Sequence, residues 1–276
     1  MIADLHALTT VQDSKKLKED TLNLALDYLA IGLDPEKVVL FKQSDISEHA
    51  ELAWIFDCIT TMPYLMRAHA YKDAEAKRKE IDAGTFTYPM LMAADILLYS
   101  PDIVPVGKDQ KQHVEYARDT AEKFNRIFGE TFKLPEPLIL GEVETVPGLD
   151  GQKMSKSYGN TIPLFAEDEE IKKLCMSIVT DSSGERPENV YQIHKLFKSE
   201  QELEKLYEEK KGKYKELKEA LIEDIIAFIS PLREKRKELA KNPEQVIDLL
   251  RTGAEKAKKS AKLKMQEVRE RVGIDL

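Results

Sequence analysis

Asp102-Ile103-Val104-Pro105-Val106-Gly107-Lys108-Asp109-Gln110 is the stretch that decides the fold. Ile103 to Val106 reads as a short strand, Gly107 ends it, and a helical pattern running from about Lys108 to Phe128 starts at once. A strand that meets a glycine turn and feeds a helix is the repeating unit of a parallel sheet. Upstream, Tyr88-Pro89 opens an apolar helix that reaches Tyr99, preceded by a charged segment from Lys72 to Lys79. Before that lies a helix capped near Ser47 and carrying Leu52, Ile55, Phe56 and Ile59, with a strand from Val38 to Phe41 ahead of it. The chain starts with a strand from Ile2 to Ala7 and a helix capped at Asp13-Ser14, whose apolar positions Leu17, Leu22, Leu26 and Leu29 run to Gly32.

Alternating strand and helix calls for a doubly wound, Rossmann-like α/β sheet, which binds ligands at the carboxyl ends of its strands. After Gly159 almost only helix periodicity remains. Leu217, Leu221, Ile225, Phe228 and Leu232 form one stripe, and Asn242-Pro243 opens another through Val246, Leu250, Ala254, Ala257 and Ala261. Two domains are expected: residues 1–159, and an all-α domain over 160–276 whose last helix packs back on the first. Residues 148–159 are the expected hinge.

The chain has 276 residues, 42% of them hydrophobic and 33% charged, enough to bury a core. No secretory leader and no apolar run of membrane-spanning length is present, so a cytoplasmic protein without a membrane partner is expected. A net charge of −8 argues against indiscriminate nucleic-acid binding. The late basic runs, such as Lys210-Lys211-Gly212-Lys213 and Arg233-Glu234-Lys235-Arg236-Lys237, are mostly interleaved with Glu as on a solvated helix face. Cys58 and Cys175 have no CxxC partner and read as reduced core thiols; no metal site is expected.

Three features carry chemistry. Lys153-Met154-Ser155-Lys156-Ser157 lies in a loop between Gly151 and Gly159, a run expected by chance in about one such chain in ten thousand. Two lysines three apart in a loop suit a triphosphate and the charge that builds on leaving pyrophosphate. At Gly107-Lys108-Asp109-Gln110 the exposed N–H groups at a helix start suit anionic or polar groups, although plain capping gives the same pattern. Asp95 stands among Met90-Leu91-Met92-Ala93-Ala94 and Ile96-Leu97-Leu98. A carboxylate there needs a partner: a ligand N–H such as an indole's, or else a neighbouring amide or Arg.

These features resemble the bacterial tryptophanyl-tRNA synthetases over nearly the whole chain. The resemblance rests on Asp4-Leu5-His6-Ala7-Leu8-Thr9, on Thr87-Tyr88-Pro89 through Tyr99, and on Asp102 through Gly107-Lys108-Asp109-Gln110-Lys111-Gln112-His113. It extends through Lys153 to Ser157, Val179-Thr180-Asp181 and Gly253-Ala254-Glu255-Lys256-Ala257. The Lys-Met-Ser-Lys-Ser loop is shared by many class I synthetases, whereas the Asp-Gln-Lys-Gln-His run favours tryptophan over tyrosine. The resemblance implies that Asp95 accepts the indole N–H, with Met92, Val104 and Val106 as pocket walls and His6 lining the site. It implies that Tyr88 and Gln110 hold the ammonium group of L-tryptophan, and that Gly107 and Asp109 hold the ATP ribose. Lys153, Met154, Ser155, Lys156 and Ser157 form the catalytic loop on the phosphates. ATP, Mg²⁺, tRNA(Trp) and a homodimer complete the expectation.

The sequence departs from the family at its start. No His-x-Gly-His motif with its strand, turn and helix is found, and Met1-Ile2-Ala3-Asp4-Leu5-His6 aligns with what is usually the second strand. The sheet is therefore expected to be incomplete at the N-terminus. Two readings stay open: a ligase read from a late start, or a catalytically impaired chain that acts as a tryptophan- or tRNA-binding module.

Overall fold

The computed structural model describes residues 1–76, 80–107, 110–139, 146–180 and 186–275. Its elements are α1 (Asp4–Ala7), α2 (Ser14–Ala30), α3 (Glu48–Ile59), α4 (Met62–Leu65), α5 (His69–Ala76), α6 (Ala83–Leu97), β1 (Ile103–Val106), α7 (Lys111–Phe128) and β2 (Glu136–Ile139). Then follow α8 (Asp168–Ser177), α9 (Glu188–His194), α10 (Glu200–Glu209), α11 (Tyr214–Ala240) and α12 (Pro243–Val272).

The strand read over Ile103 to Val106 forms as β1. β1 pairs in parallel with β2, Ile103 opposite Glu136 and Val106 opposite Ile139, and α7 is the crossover between them. Val104 and Val106 share the half-buried face of β1 while Ile103 and Pro105 face outward, the period-two alternation of a strand.

The two earlier strands shrink to a single parallel bridge between Ile2 and Lys42. Residues 4–7 coil into α1, because Asp4 leaves the strand direction to bind the Ser44 N–H at 2.9 Å and hydroxyl at 2.5 Å. The Thr9 and Thr10 hydroxyls close the same turn on the carbonyls of His6 and Ala7. Ile2 N–H donates to the Phe41 carbonyl and Gln43 N–H to the Ile2 carbonyl, which sets His6 beside Gln43. The apolar helix opens earlier than its Tyr88-Pro89 pair suggests. Asp82 caps it by accepting the Thr85 N–H at 2.6 Å, and Pro89 is carried inside the helix.

The chain divides into two compact units, Met1–Gly141 with Asn242–Leu276, and 142–241. Compactness and composition therefore divide the chain at different places: the loop around Lys153 goes with the second unit and α12 with the first. In the first unit the rings of Phe56, Phe124 and Phe132 pack edge to face, and Ala257, Ala261, Met265 and Val268 of α12 close over that cluster. Each fully buried ring of this kind contributes about 1.5–3 kcal/mol over an exposed one.

The second unit has its own core, in which Ile171 and Cys175 of α8 meet Leu221, Ile225 and Ile229 of α11. The buried Lys218 ammonium donates to the carbonyls of Met176 and Ile178 at 2.9 and 2.7 Å, satisfying the end of α8. Burial pushes the Cys175 thiol up to about 11. Cys58, read as a second core thiol, is exposed instead, on a face of α3 that Leu52 and Phe56 do not share. Among the described residues no helix is long and apolar enough to cross a membrane.

Candidate active site

Tyr88, Met92 and Asp95 fall on one face of α6, spaced by four and three residues. Asp95 draws three donors to that face. His6 Nε2 lies 2.9 Å from Oδ2, and the Gln43 amide straddles both oxygens at 2.7 and 2.9 Å. His49, in the first turn of α3, brings Nδ1 to 2.6 Å from Oδ1, although the approach is bent off its N–H axis. These contacts take the roughly four lone-pair positions of a carboxylate. Burial pushes the Asp95 carboxyl upward, but the His49 and His6 contacts outweigh it and hold the group below its ordinary value. It is an ionised acceptor in a largely dry place.

A second chain of contacts lies beside it. The Tyr88 hydroxyl is 2.6 Å from His113 Nε2, and His113 Nδ1 is 2.6 Å from Gln110 Oε1. The rings of Tyr88 and His113 meet edge to face at 5.5 Å, and the His6 ring lies edge-on to Tyr88 at 6.4 Å. Burial raises the Tyr88 hydroxyl, so it remains a proton donor to His113. The structure thus joins Tyr88 and Gln110, both read from sequence, through His113, which was read only as part of a motif. Val104, Val106 and Met92 are half-buried, and Gly107 is exposed at the end of β1. Lys108 and Asp109 lie outside the described residues, so of the residues expected to hold the ribose only Gly107 is described.

The loop with the two lysines is built within the second unit. Pro147 bridges Lys153 in antiparallel fashion, and Met154 N–H donates to the Val146 carbonyl at 2.9 Å. Asn160, nearly fully buried, ties the loop from inside. Its Oδ1 accepts the Ser155 N–H at 2.8 Å, and its Nδ2 donates to Asp150 at 2.7 Å and to the Lys153 carbonyl at 3.1 Å. Lys153 and Lys156 are left exposed, the latter opening a 3-10 turn over Lys156–Tyr158. Met154 and Ser155 are half-buried; the side chain of Ser157 and the whole of Asp181 lie outside the description.

Sequence reasoning missed Gln43, His49 and Asn160. His49 had a visible signal: it occupies the apolar stripe of α3, three and seven residues ahead of Leu52 and Phe56, where a polar side chain needs a partner. Gln43 and Asn160 had none, because their partners are brought by tertiary contacts.

Comparison with known proteins places the chain in a family. The family model for class I tRNA synthetases (W and Y) matches residues 1–251. A tryptophan–tRNA ligase from Fusobacterium nucleatum is 48% identical over 99% of this chain and 87% of its own length. The crystal structure of the Campylobacter jejuni tryptophanyl-tRNA synthetase complexed with ADP and tryptophan superposes with a TM-score of 0.91 at 45% identity, covering 99% of this chain and 88% of that one. The enzyme from Mycoplasma pneumoniae gives a TM-score of 0.85 at 32% identity, covering 98% and 86%. With the family model matching most of the chain, and identity near one half carried over almost its whole length on a shared fold, the chain belongs to the class I tRNA synthetases for tryptophan and tyrosine, among the bacterial tryptophan–tRNA ligases.

Proposed function

We propose that the chain activates L-tryptophan with ATP and transfers it to tRNA(Trp). The observation that carries this reading is the ionised, largely buried Asp95 carboxylate on the same helix face as Tyr88 and Met92. The indole N–H donates to Asp95 between the apolar walls of Met92, Val104 and Val106, and Tyr88 and Gln110 hold the ammonium group. Since the three present donors occupy Asp95, one of them yields to the indole. His6 is the one placed to do so: its side chain is 22% exposed, against 0% for His49.

With tryptophan so held, its carboxylate attacks the α-phosphate of ATP in line and pyrophosphate leaves. Gly107 and Asp109 position the ribose. Lys153 and Lys156 neutralise charge on the departing pyrophosphate, with Met154, Ser155 and Ser157 shaping the loop that carries them. Positioning and charge stabilisation supply the rate, so no side chain forms a covalent intermediate. The adenylate then acylates the 3′-terminal adenosine of the tRNA. Mg²⁺ would accompany the ATP phosphates in this scheme, as it does where a nucleoside triphosphate supplies most of its ligands. The helical part from about residue 160 reads the anticodon, the working form is a homodimer, and the reaction belongs in the cytoplasm.

The test is tryptophan-dependent exchange of labelled pyrophosphate into ATP, measured on the parent and on Asp95→Ala. The variant is expected to raise the tryptophan KM at least tenfold, the worth of a hydrogen bond to a charged acceptor. Parent-like kinetics in Asp95→Ala, or near-equal use of phenylalanine by the parent, would overturn the assignment.

A further inference from the structure

Behind Asp95, on the side away from His6, stands a buried pair that the reaction scheme does not use. His49 is fully buried, and its Nε2 lies 2.9 Å from the Tyr99 hydroxyl while its Nδ1 meets Asp95 at 2.6 Å. The rings of His49 and Tyr99 are 5.5 Å apart, and Phe41 covers both at 6.3 and 5.9 Å. A carboxylate only accepts, so the nitrogen facing Asp95 carries the proton. In the neutral ring Nε2 is then the acceptor, and the Tyr99 hydroxyl donates to it. Tyr99 is suited to that role, because burial, followed by the negative charges of Asp95 and Glu48, raises its hydroxyl well above the usual tyrosine range. The tautomer of His49 is fixed from behind, as the orienting partner of a reactive histidine or metal ligand does elsewhere.

We propose that His49 is the positioning residue for Asp95, and that, backed by Tyr99, it holds the carboxylate in the orientation that accepts the indole N–H. The proposal rests on the reading of Asp95 given above. Its physical content is a division among the donors. Gln43 bridges both oxygens and so leaves the carboxylate free to rock about its own axis, and His6 is on the open side, where the substrate enters. His49 alone grips one oxygen from a site that no substrate reaches. Without it, Oδ1 loses a donor in a dry place, and the carboxylate turns toward Gln43 or takes up a proton; either change weakens the bond to the indole.

The experiment compares tryptophan with 3-benzothienylalanine, the isostere in which sulfur replaces the indole N–H, by pyrophosphate exchange and thermal unfolding. His49→Phe keeps a ring in the packing; His49→Gln restores an N–H for Asp95 and an acceptor for Tyr99. His49→Phe is expected to lower the preference for tryptophan over the isostere about tenfold, through the tryptophan KM and with the KM for ATP unchanged. His49→Gln should recover most of that preference, and Tyr99→Phe should lose a smaller part. If His49→Phe keeps the parent's preference while Asp95→Ala abolishes it, His49 only fills space and the reading of Asp95 stands. If Asp95→Ala keeps the preference too, that reading falls and the proposal falls with it.

Discussion

Gly253 of α12 lies directly against the backbone of Leu40: a Cβ built on the glycine would come within 1.9 Å of the Leu40 carbonyl oxygen and 2.8 Å of its carbon. Main chain meets main chain there because Gly253 has no side chain to hold the two segments apart. Ala254, Ala257 and Ala261 continue the same approach toward the core of the first unit.

Gly253→Ala must therefore move α12 or the 38–41 segment, since neither is the free end of a flexible side chain. The expected loss is about 1–3 kcal/mol, the usual cost of overpacking a close-packed site. Urea unfolding followed by circular dichroism checks it. A midpoint within error of the parent's would mean that the two segments are not held so close in solution.

Asn160 presents the same kind of constraint for chemistry rather than stability. One buried amide holds the Ser155 N–H, the Lys153 carbonyl and the Asp150 carboxylate, so both lysines of the loop take their positions from it. Asn160→Ala is expected to lower kcat for pyrophosphate exchange by at least tenfold, the worth of one or two lost buried hydrogen bonds, with the tryptophan KM little changed. A change in KM with kcat preserved would assign Asn160 to amino-acid binding instead.

Much of this was legible in the chain, and the division follows range. The strand at Ile103, the helix to Phe128 and the cap at Asp13 are set by residues within a few positions of each other, and each formed as read. The opening strands were misread because what ends them lies far along the chain: Asp4 is drawn to Ser44, forty positions away. In the site, Asp95 stood out as an ion in an apolar helix. The histidine that grips it arrives from a different helix, 46 positions earlier, and a sequence pattern does not say which buried polar residue meets which. Gly253 and its alanines were visible as a family-like run, but their reason, the close approach to Leu40, exists only in three dimensions.

Asp57 shows what an ion costs where such a partner is lacking. It lies half-buried on α3, and its Oδ1 is buried with no hydrogen-bond partner among the described residues. Burial pushes its carboxyl from 3.8 up to about 6. The folded chain thus keeps this proton over a range where the unfolded chain has released it, so stability falls as pH rises from 3.8 through 6 and stays lower above. Asp57→Asn removes that titration. Allowing for solvent at a half-buried group, it should gain about 1 kcal/mol over the parent at neutral pH. The difference should shrink as pH falls toward 4, where the parent's own carboxyl is protonated in both states. Urea midpoints of the two chains at several pH values between 4 and 7.5 measure it. A gap that does not change with pH would assign the effect to packing or hydrogen bonding of the amide, and a less stable Asn variant at neutral pH would show that the carboxylate has a favourable partner in solution.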